Sequence, residues 1–261
     1  MKQIGSVTKR LIAYGVAIVA ASLLAEVQAQ SMKQGNAEVK AVRGTAKYSS
    51  GGGVWVPLKT GTVLRPGAVI QTGVDSYVDL FLKQNGPVVR VTAETTLGLD
   101  KLNYDGAGND AVIETQLDLQ SGRIIGNVKK LSSNSKYQIK LPNGVAGIRG
   151  TDYDISVRPL GNNKWDIRVT SVTGTLVGSV VVDGREVTGV AHDGQTWRPE
   201  TGVEPTPEDV LAYARGVIRE LLRSIYGEGT IPTPEDPIIN FVSPIRGQQN
   251  APSSTSETQN Q

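Results

Sequence analysis

Steps of two run through this chain from Ala37 to about Arg198, and nothing else in the sequence limits its fold as strongly. Tyr77, Asp79 and Phe81 fall on one side of an extended backbone, with Val78, Leu80 and Leu82 on the other. Ile113 to Leu119 and Lys136 to Leu141 alternate in the same way. Successive side chains point to opposite faces only in a strand, so this period specifies pleated, half-buried surface. Turn signals cut the pattern at short intervals: Gly51-Gly52-Gly53, Arg65-Pro66-Gly67, Asn85-Gly86-Pro87, Pro142-Asn143-Gly144, Gly161-Asn162-Asn163 and Asp183-Gly184. Many short strands between such turns predict an all-β domain over residues 37–198, coiled and solenoid-like or a sandwich. No helical pattern alternates with the strands, which argues against a parallel βαβ sheet. Val42-Arg43-Gly44-Thr45 returns as Ile148-Arg149-Gly150-Thr151 and loosely as Val172-Thr173-Gly174-Thr175. The echo marks either equivalent corners or chance in a Gly/Thr-rich chain.

Both ends read differently. Lys2, Lys9 and Arg10, the apolar run from Leu11 to Ala25, and Val27-Gln28-Ala29 follow the three-part plan of a secretory signal peptide, so residues 1–29 are expected to be cleaved. The rival reading is a retained anchor, but the run is short against the ~20 residues a spanning helix needs. Of 27 Lys and Arg and 25 Asp and Glu, residues 1–29 hold Lys2, Lys9, Arg10 and Glu26, which leaves the remainder formally neutral. A basic nucleic-acid footprint is therefore not expected. At the other end, Thr206-Pro207-Glu208-Asp209 is a helix start, with Thr206 as N-cap and Pro207 at the first helical position. Val210, Leu211, Ala214, Val217, Ile218, Leu221, Leu222 and Ile225 then form one apolar stripe, and Gly227 stops the helix. The stripe of this element, residues 206–227, must cover a sheet edge of the same chain, a partner protein or a membrane surface. Residues 228–261 read as a linker with a polar, disordered tail.

The middle of the chain resembles the FecR domain family. The segment from Lys136 through Pro142-Asn143-Gly144 to Ile148-Arg149-Gly150-Thr151 and Ile155 looks like that family's strand, turn and V/I-R-G-T signature. Trp55-Val56-Pro57-Leu58 with Gly61, Leu64 and Gly67, then Ile70-Gln71-Thr72-Gly73, is similar to its upstream run, and Leu119-Gln120-Ser121-Gly122-Arg123-Ile124 to a later strand. The resemblance covers about residues 37–157. It implies an all-β domain outside the cytoplasm. In founding members that domain relays an outer-membrane transporter signal to a cytoplasmic sigma factor. Here only ten residues precede the apolar run and no transporter-signalling module is recognisable after the β region, so that particular role is not expected to carry over. The resemblance brings no catalytic residues with it.

Few residues suit chemistry. Cysteine is absent and histidine occurs once, which excludes thiol nucleophiles, disulfides and multi-histidine zinc sites. Arg149, Gly150, Thr151 and Asp152 are the candidate partner-binding residues: the glycine permits close approach, and the arginine can pair with a carboxylate or a row of carbonyls. The plainer account is a structural corner with Arg149 locked by carbonyls or an aspartate. Asp105 and Asp110 flank a Gly-rich loop that resembles one unit of a calcium-binding nonapeptide, but a single copy lacks the stacked neighbour such sites need. Ser179 and His192 have no nucleophile-elbow frame. Trp55, Trp165 and Trp197 with the tyrosines either pack the core or offer faces to sugar rings. The expectation is an exported, non-catalytic module, periplasmic or secreted from a bacterium. It needs no cofactor, has no stable membrane span after cleavage, and binds a protein partner in the cell envelope. A carbohydrate- or cell-wall-binding module, with a glycan as ligand, is the alternative.

Overall fold

The computed structural model describes residues 32–51, 53–106, 112–128 and 131–227. The expected leader, the linker and tail, and Asp110 lie outside the described residues. Among these, sixteen strands join one hydrogen-bonded sheet and one helix follows them. In order they are β1 (Lys33–Gln34), β2 (Ala37–Arg43), β3 (Ala46–Ser49), β4 (Val56–Pro57), β5 (Val63–Leu64), β6 (Val69–Thr72), β7 (Tyr77–Phe81) and β8 (Val88–Val91). Then come β9 (Thr96–Asp105), β10 (Val112–Asn127), β11 (Lys136–Leu141), β12 (Gly144–Gly161), β13 (Lys164–Val182), β14 (Arg185–Ala191), β15 (Gln195–Arg198) and β16 (Gly202–Pro205). The helix α1 is Glu208–Tyr226. The all-β expectation with a C-terminal helix is borne out.

Three long strands explain how one sheet makes two layers. β10, β12 and β13 change pairing partners midway, near Gly122, Gly150 and Gly174, each in the left-handed region at φ 92°, 62° and 90°. An L-residue with a side chain adopts that conformation at a cost, so these positions favour glycine. On one side of the corners, β9, the first part of β10, β11, the start of β12, the end of β13 and β14 form the six-stranded body of a first layer, which β1 and β6 continue past β9. On the other side, β2, β7, β8, the end of β10, the end of β12, the start of β13, β15 and β16 form the second. The V-R-G-T echo coincides with corners: Gly44 also has a positive φ, and Gly150 and Gly174 meet across the β12–β13 pair, where the register shifts.

The inner faces supply the core. Val78, Val91, Ile124, Ile155, Val169 and Trp197 sit on successive strands of the second layer as one rung, all buried. Opposite them, Leu117, Leu119, Ile139, Ala146, Leu176 and Val180 of the first layer belong to the same cluster. The Trp197 indole lies against Gly178 of β13 and Gly189 of β14, where a methyl group would run into the ring. Tyr137 and Tyr153, one from each layer, meet at 6.3 Å between ring centroids, and their hydroxyls are 3.2 Å apart.

One pairing departs from the sequence expectation. β10 and β11 run parallel from Glu114–Lys136 to Asp118–Lys140, with no crossover helix among the described residues. Parallel neighbours need a return of a dozen or more residues. Here the return begins with the second half of β10 itself, which bends into the other layer before the chain comes back to β11.

α1 starts one residue later than its sequence signal. Pro207 stands at the N-cap, and its carbonyl accepts from the Val210 and Leu211 amides at 3.1 and 3.2 Å. Thr206 does not cap: its hydroxyl lies 2.8 Å from that of Thr196, which is 2.8 Å from that of Thr170, so the side chain is drawn into a threonine ladder on the sheet. The helix stripe covers an outer sheet face rather than an edge. Leu211, Ala214, Val217, Ile218, Leu221 and Leu222 close over Val88, Ile125 and Val172 of the second layer. An isolated helix of this length is marginal in water, so this burial is what holds it.

Candidate functional site

The two layers present very different outer faces. Beneath α1, one rung crosses seven strands as Asp79, Arg90, Ile125, Asp154, Thr170, Thr196 and Glu204, polar at every place but one. Asp79, placed by its alternation on the side of Tyr77 and Phe81, is on that side and buried, because the helix covers it. Its carboxylate takes a two-pronged contact from Arg90 at 2.7 and 2.8 Å. Arg90 also reaches Glu220 of α1 at 3.0 Å and lies 4.0 Å from the centre of the Tyr77 ring. Burial opposes the charge on Arg90, but the two carboxylates outweigh it, and the pKa rises. Burial pushes Asp79 up, with Arg90 drawing it back. The Arg90 contact holds Glu220 below its ordinary value. Arg123 repeats the scheme: it pairs with Asp154 and lies 5.0 Å from the centre of the Tyr213 ring of α1. Every charge here is matched by a neighbour on the sheet, and the helix adds a contact to each arginine.

The six-stranded layer is bare. Three rungs cross its outer face. One runs from Lys101 through Gln116, Gln138 and Gly147 to Val177 and Val190. A second runs from Gly98 through Asp118, Lys140, Val145 and Ser179 to Thr188. The third joins Asn103, Glu114 and Lys136 on β9 to β11, and Arg149 and Thr175 on β12 and β13. Toward β9 the face is tied by ion pairs, Lys101 with Glu114 at 2.9 Å and Lys140 with Asp100 at 3.0 Å. Toward β14 it is apolar: Val177, Val181 and Val190 are 45%, 46% and 40% exposed. Large apolar side chains gathered in water on a rigid sheet are the usual mark of an interaction surface.

The sequence candidates divide between the two faces. Arg149 projects from the bare face, exposed, with no ion pair or hydrogen bond from its side chain among the described residues. It is therefore not locked by carbonyls or an aspartate. Gly150 and Thr151 make the corner: the buried Thr151 hydroxyl lies 3.1 Å from the carbonyls of both Arg149 and Thr175. Past the corner, Asp152 is on the helix-backed layer, bonded by the Asn127 amide, and burial raises its pKa. The four-residue candidate thus comprises an exposed cation with no internal contact among the described residues, a two-residue structural corner, and a carboxylate used internally.

Other candidates are placed as follows. Ser179 donates to Glu186, and His192 Nδ1 lies 3.3 Å from the Thr175 hydroxyl. Ser179 pairs with Thr188, four residues from His192, a separation of about 13 Å along the strand. A serine–histidine pair is not assembled. Asp105 ends β9 opposite Val112, and no group of three His, Asp or Glu gathers around a metal position among the described residues. Trp197 is core and Trp55 is exposed beneath the Lys47 ammonium. Trp165, half-buried, lines a cleft of about 470 Å³ at the end of the β12–β13 hairpin, together with Arg158, Asp166, Asn143 and Asp183. Sequence reasoning did not single out Arg90, Asp79, Arg123 or Glu220. A charged residue within an apolar strand, as in Val88-Val89-Arg90-Val91, was the available signal.

A family model described as FecR protein matches residues 68–177. The match bears out the family resemblance, beginning later than the sequence reading placed it and running further, from just before β6 into the bare-layer part of β13. Two crystal structures of a candidate anti-sigma factor from Parabacteroides distasonis align at 12% identity, with TM-scores of 0.41 and 0.42. The alignments cover 57% and 60% of this chain, and 64% and 74% of the other chains. The chain thus spans under two thirds of the length of the first. No curated protein matches.

Proposed function

We propose that this chain is an exported, non-catalytic FecR-type module that works by binding a protein partner in a bacterial cell envelope, in the periplasm or after secretion. The observation that carries this reading is the bare six-stranded face, with its apolar end and the free Arg149 guanidinium. A flat rigid sheet with a desolvation-ready patch and one free cation suits a protein surface offering apolar contact and a carboxylate. The FecR match over residues 68–177 supports a signalling or regulatory role for such contact. Among the described residues no helix is long and apolar enough to cross a membrane. The test is affinity capture from envelope extracts of a source bacterium. The expected result is one stoichiometric protein, lost with Arg149→Ala or Val177→Lys. Capture that is indifferent to both changes would refute the assignment of this face.

A second reading rests on the cleft at Trp165. An indole wall beside Arg158, Asp166 and Asn143 can stack a sugar ring and bond its hydroxyls. Retention on peptidoglycan or a glycan array that vanishes with Trp165→Ala would favour it over the protein-binding reading.

A further inference from the structure

We infer that β14 is the seam of a homodimer, in which two copies of this chain pair their β14 strands antiparallel about a two-fold axis at Gly189. β14 pairs with β13 over seven consecutive residues without a register shift, and among the described residues no strand pairs with its far side. Exposed strand edges are normally blunted by lysine, proline or a bulge. From Val187 to Ala191 this edge has none of them. It is a straight template for a further strand.

The order of residues along the edge selects the occupant. Arg185-Glu186-Val187-Thr188-Gly189-Val190-Ala191-His192-Asp193 is complementary to itself when reversed about Gly189. That axis sets Glu186 opposite His192 of the other copy, Thr188 opposite Val190, and Val187 opposite Ala191. Beyond them Arg185 approaches the end that carries Asp193, whose carboxylate also accepts from the Gly174 amide. Moving the axis by one residue to Thr188 would place Glu186 against Val190 and forfeit the match. An imidazole opposite a carboxylate and an arginine near an aspartate suit a cross-strand ladder, and their misplacement penalises other registers. Glu186, Thr188 and Val190 project from the bare face, and the His192 ring just past β14 lies beside Thr175 of the same face, so the pairing would also bring the Val177–Val190 patches of both copies next to the seam. Gly189 itself turns inward onto Trp197 and leaves the axis free of side chains.

The chain lacks cysteine, which makes register directly readable. Thr188→Cys and Val190→Cys copies, mixed and oxidised, are expected to join as a disulfide-linked pair. Either variant alone is not, since its own two thiols would lie a diagonal apart, beyond disulfide reach. In analytical ultracentrifugation the unmodified chain should sediment as a dimer, and Glu186→Lys should raise the dissociation midpoint about tenfold. Glu186→Lys with His192→Glu should restore it. An unchanged thermal midpoint for each variant excludes misfolding as the cause. A monomer across the micromolar range overturns the inference, and so does a dimer that fails to cross-link between positions 188 and 190. Neither outcome bears on partner capture through Arg149, so the two readings fail separately.

Discussion

The outer faces of the two layers belong to one sheet and share three of its strands, yet one is covered and the other is open. The covered face carries buried charge, each cation already matched by a carboxylate on a neighbouring strand. The open face carries exposed valines and an unmatched arginine. The cover is itself amphipathic, and it settles where three apolar residues break a polar field whose charges can hold it in register. Buried charge on the covered face is tied to the chain's own helix, whereas the open face combines surface ion pairs near β9 with exposed valines and an arginine that makes no internal contact among the described residues.

The contrast can be broken most severely at Arg90. Arg90→Ala strands Asp79 as a buried, uncompensated carboxylate, and a loss of about 3–5 kcal/mol is expected in urea denaturation. Joint replacement of Arg90 by Met and Asp79 by Leu should recover most of it. Next, Leu221→Ala removes a fully buried side chain from the helix, with an expected loss of about 2–5 kcal/mol and earlier hydrogen exchange in α1 than in the sheet. A milder effect comes from acid. The Arg90 contact holds Glu220 below 4.5, so its contribution to docking is complete above that pH and is lost as pH falls through the lowered value. Asp79 has the opposite sign, because burial raises its pKa and its protonation favours the fold as pH falls. Thermal midpoints measured between about pH 5 and 3 should therefore fall less steeply for Glu220→Gln than for the parent. The smallest change belongs to the open face: Arg149→Ala and Val177→Thr should stay within about 0.5 kcal/mol of the parent in the same denaturation, while losing binding. A large destabilisation there would mean that the face is structural, and the distinction between the layers would fail.

Much of this architecture is legible in the sequence because it is local. Period-two segments are strands, and Asp183-Gly184 and Asn162-Asn163 sit in hairpin turns with the positive φ that their residue types tolerate. The helix and its apolar stripe follow from spacing alone. What was hidden depends on distant partners. Glu220 lies 130 residues from Arg90, and no local pattern links them. Asp79 looks like an ordinary member of an alternating run until a helix from the far end of the chain buries it. The parallel β10–β11 pairing was equally invisible, since only Gly122 marks where β10 leaves one layer for the other. Arg149 was found from a motif, but its freedom from internal contacts is a property of the folded face.

Three strands threaded through both layers leave no hinge. Neither layer can slide over, tilt from or melt ahead of the other without breaking backbone ladders in β10, β12 and β13 together. The body should therefore respond to load or heat as one brittle piece, with α1 as the element able to detach while the rest stays whole.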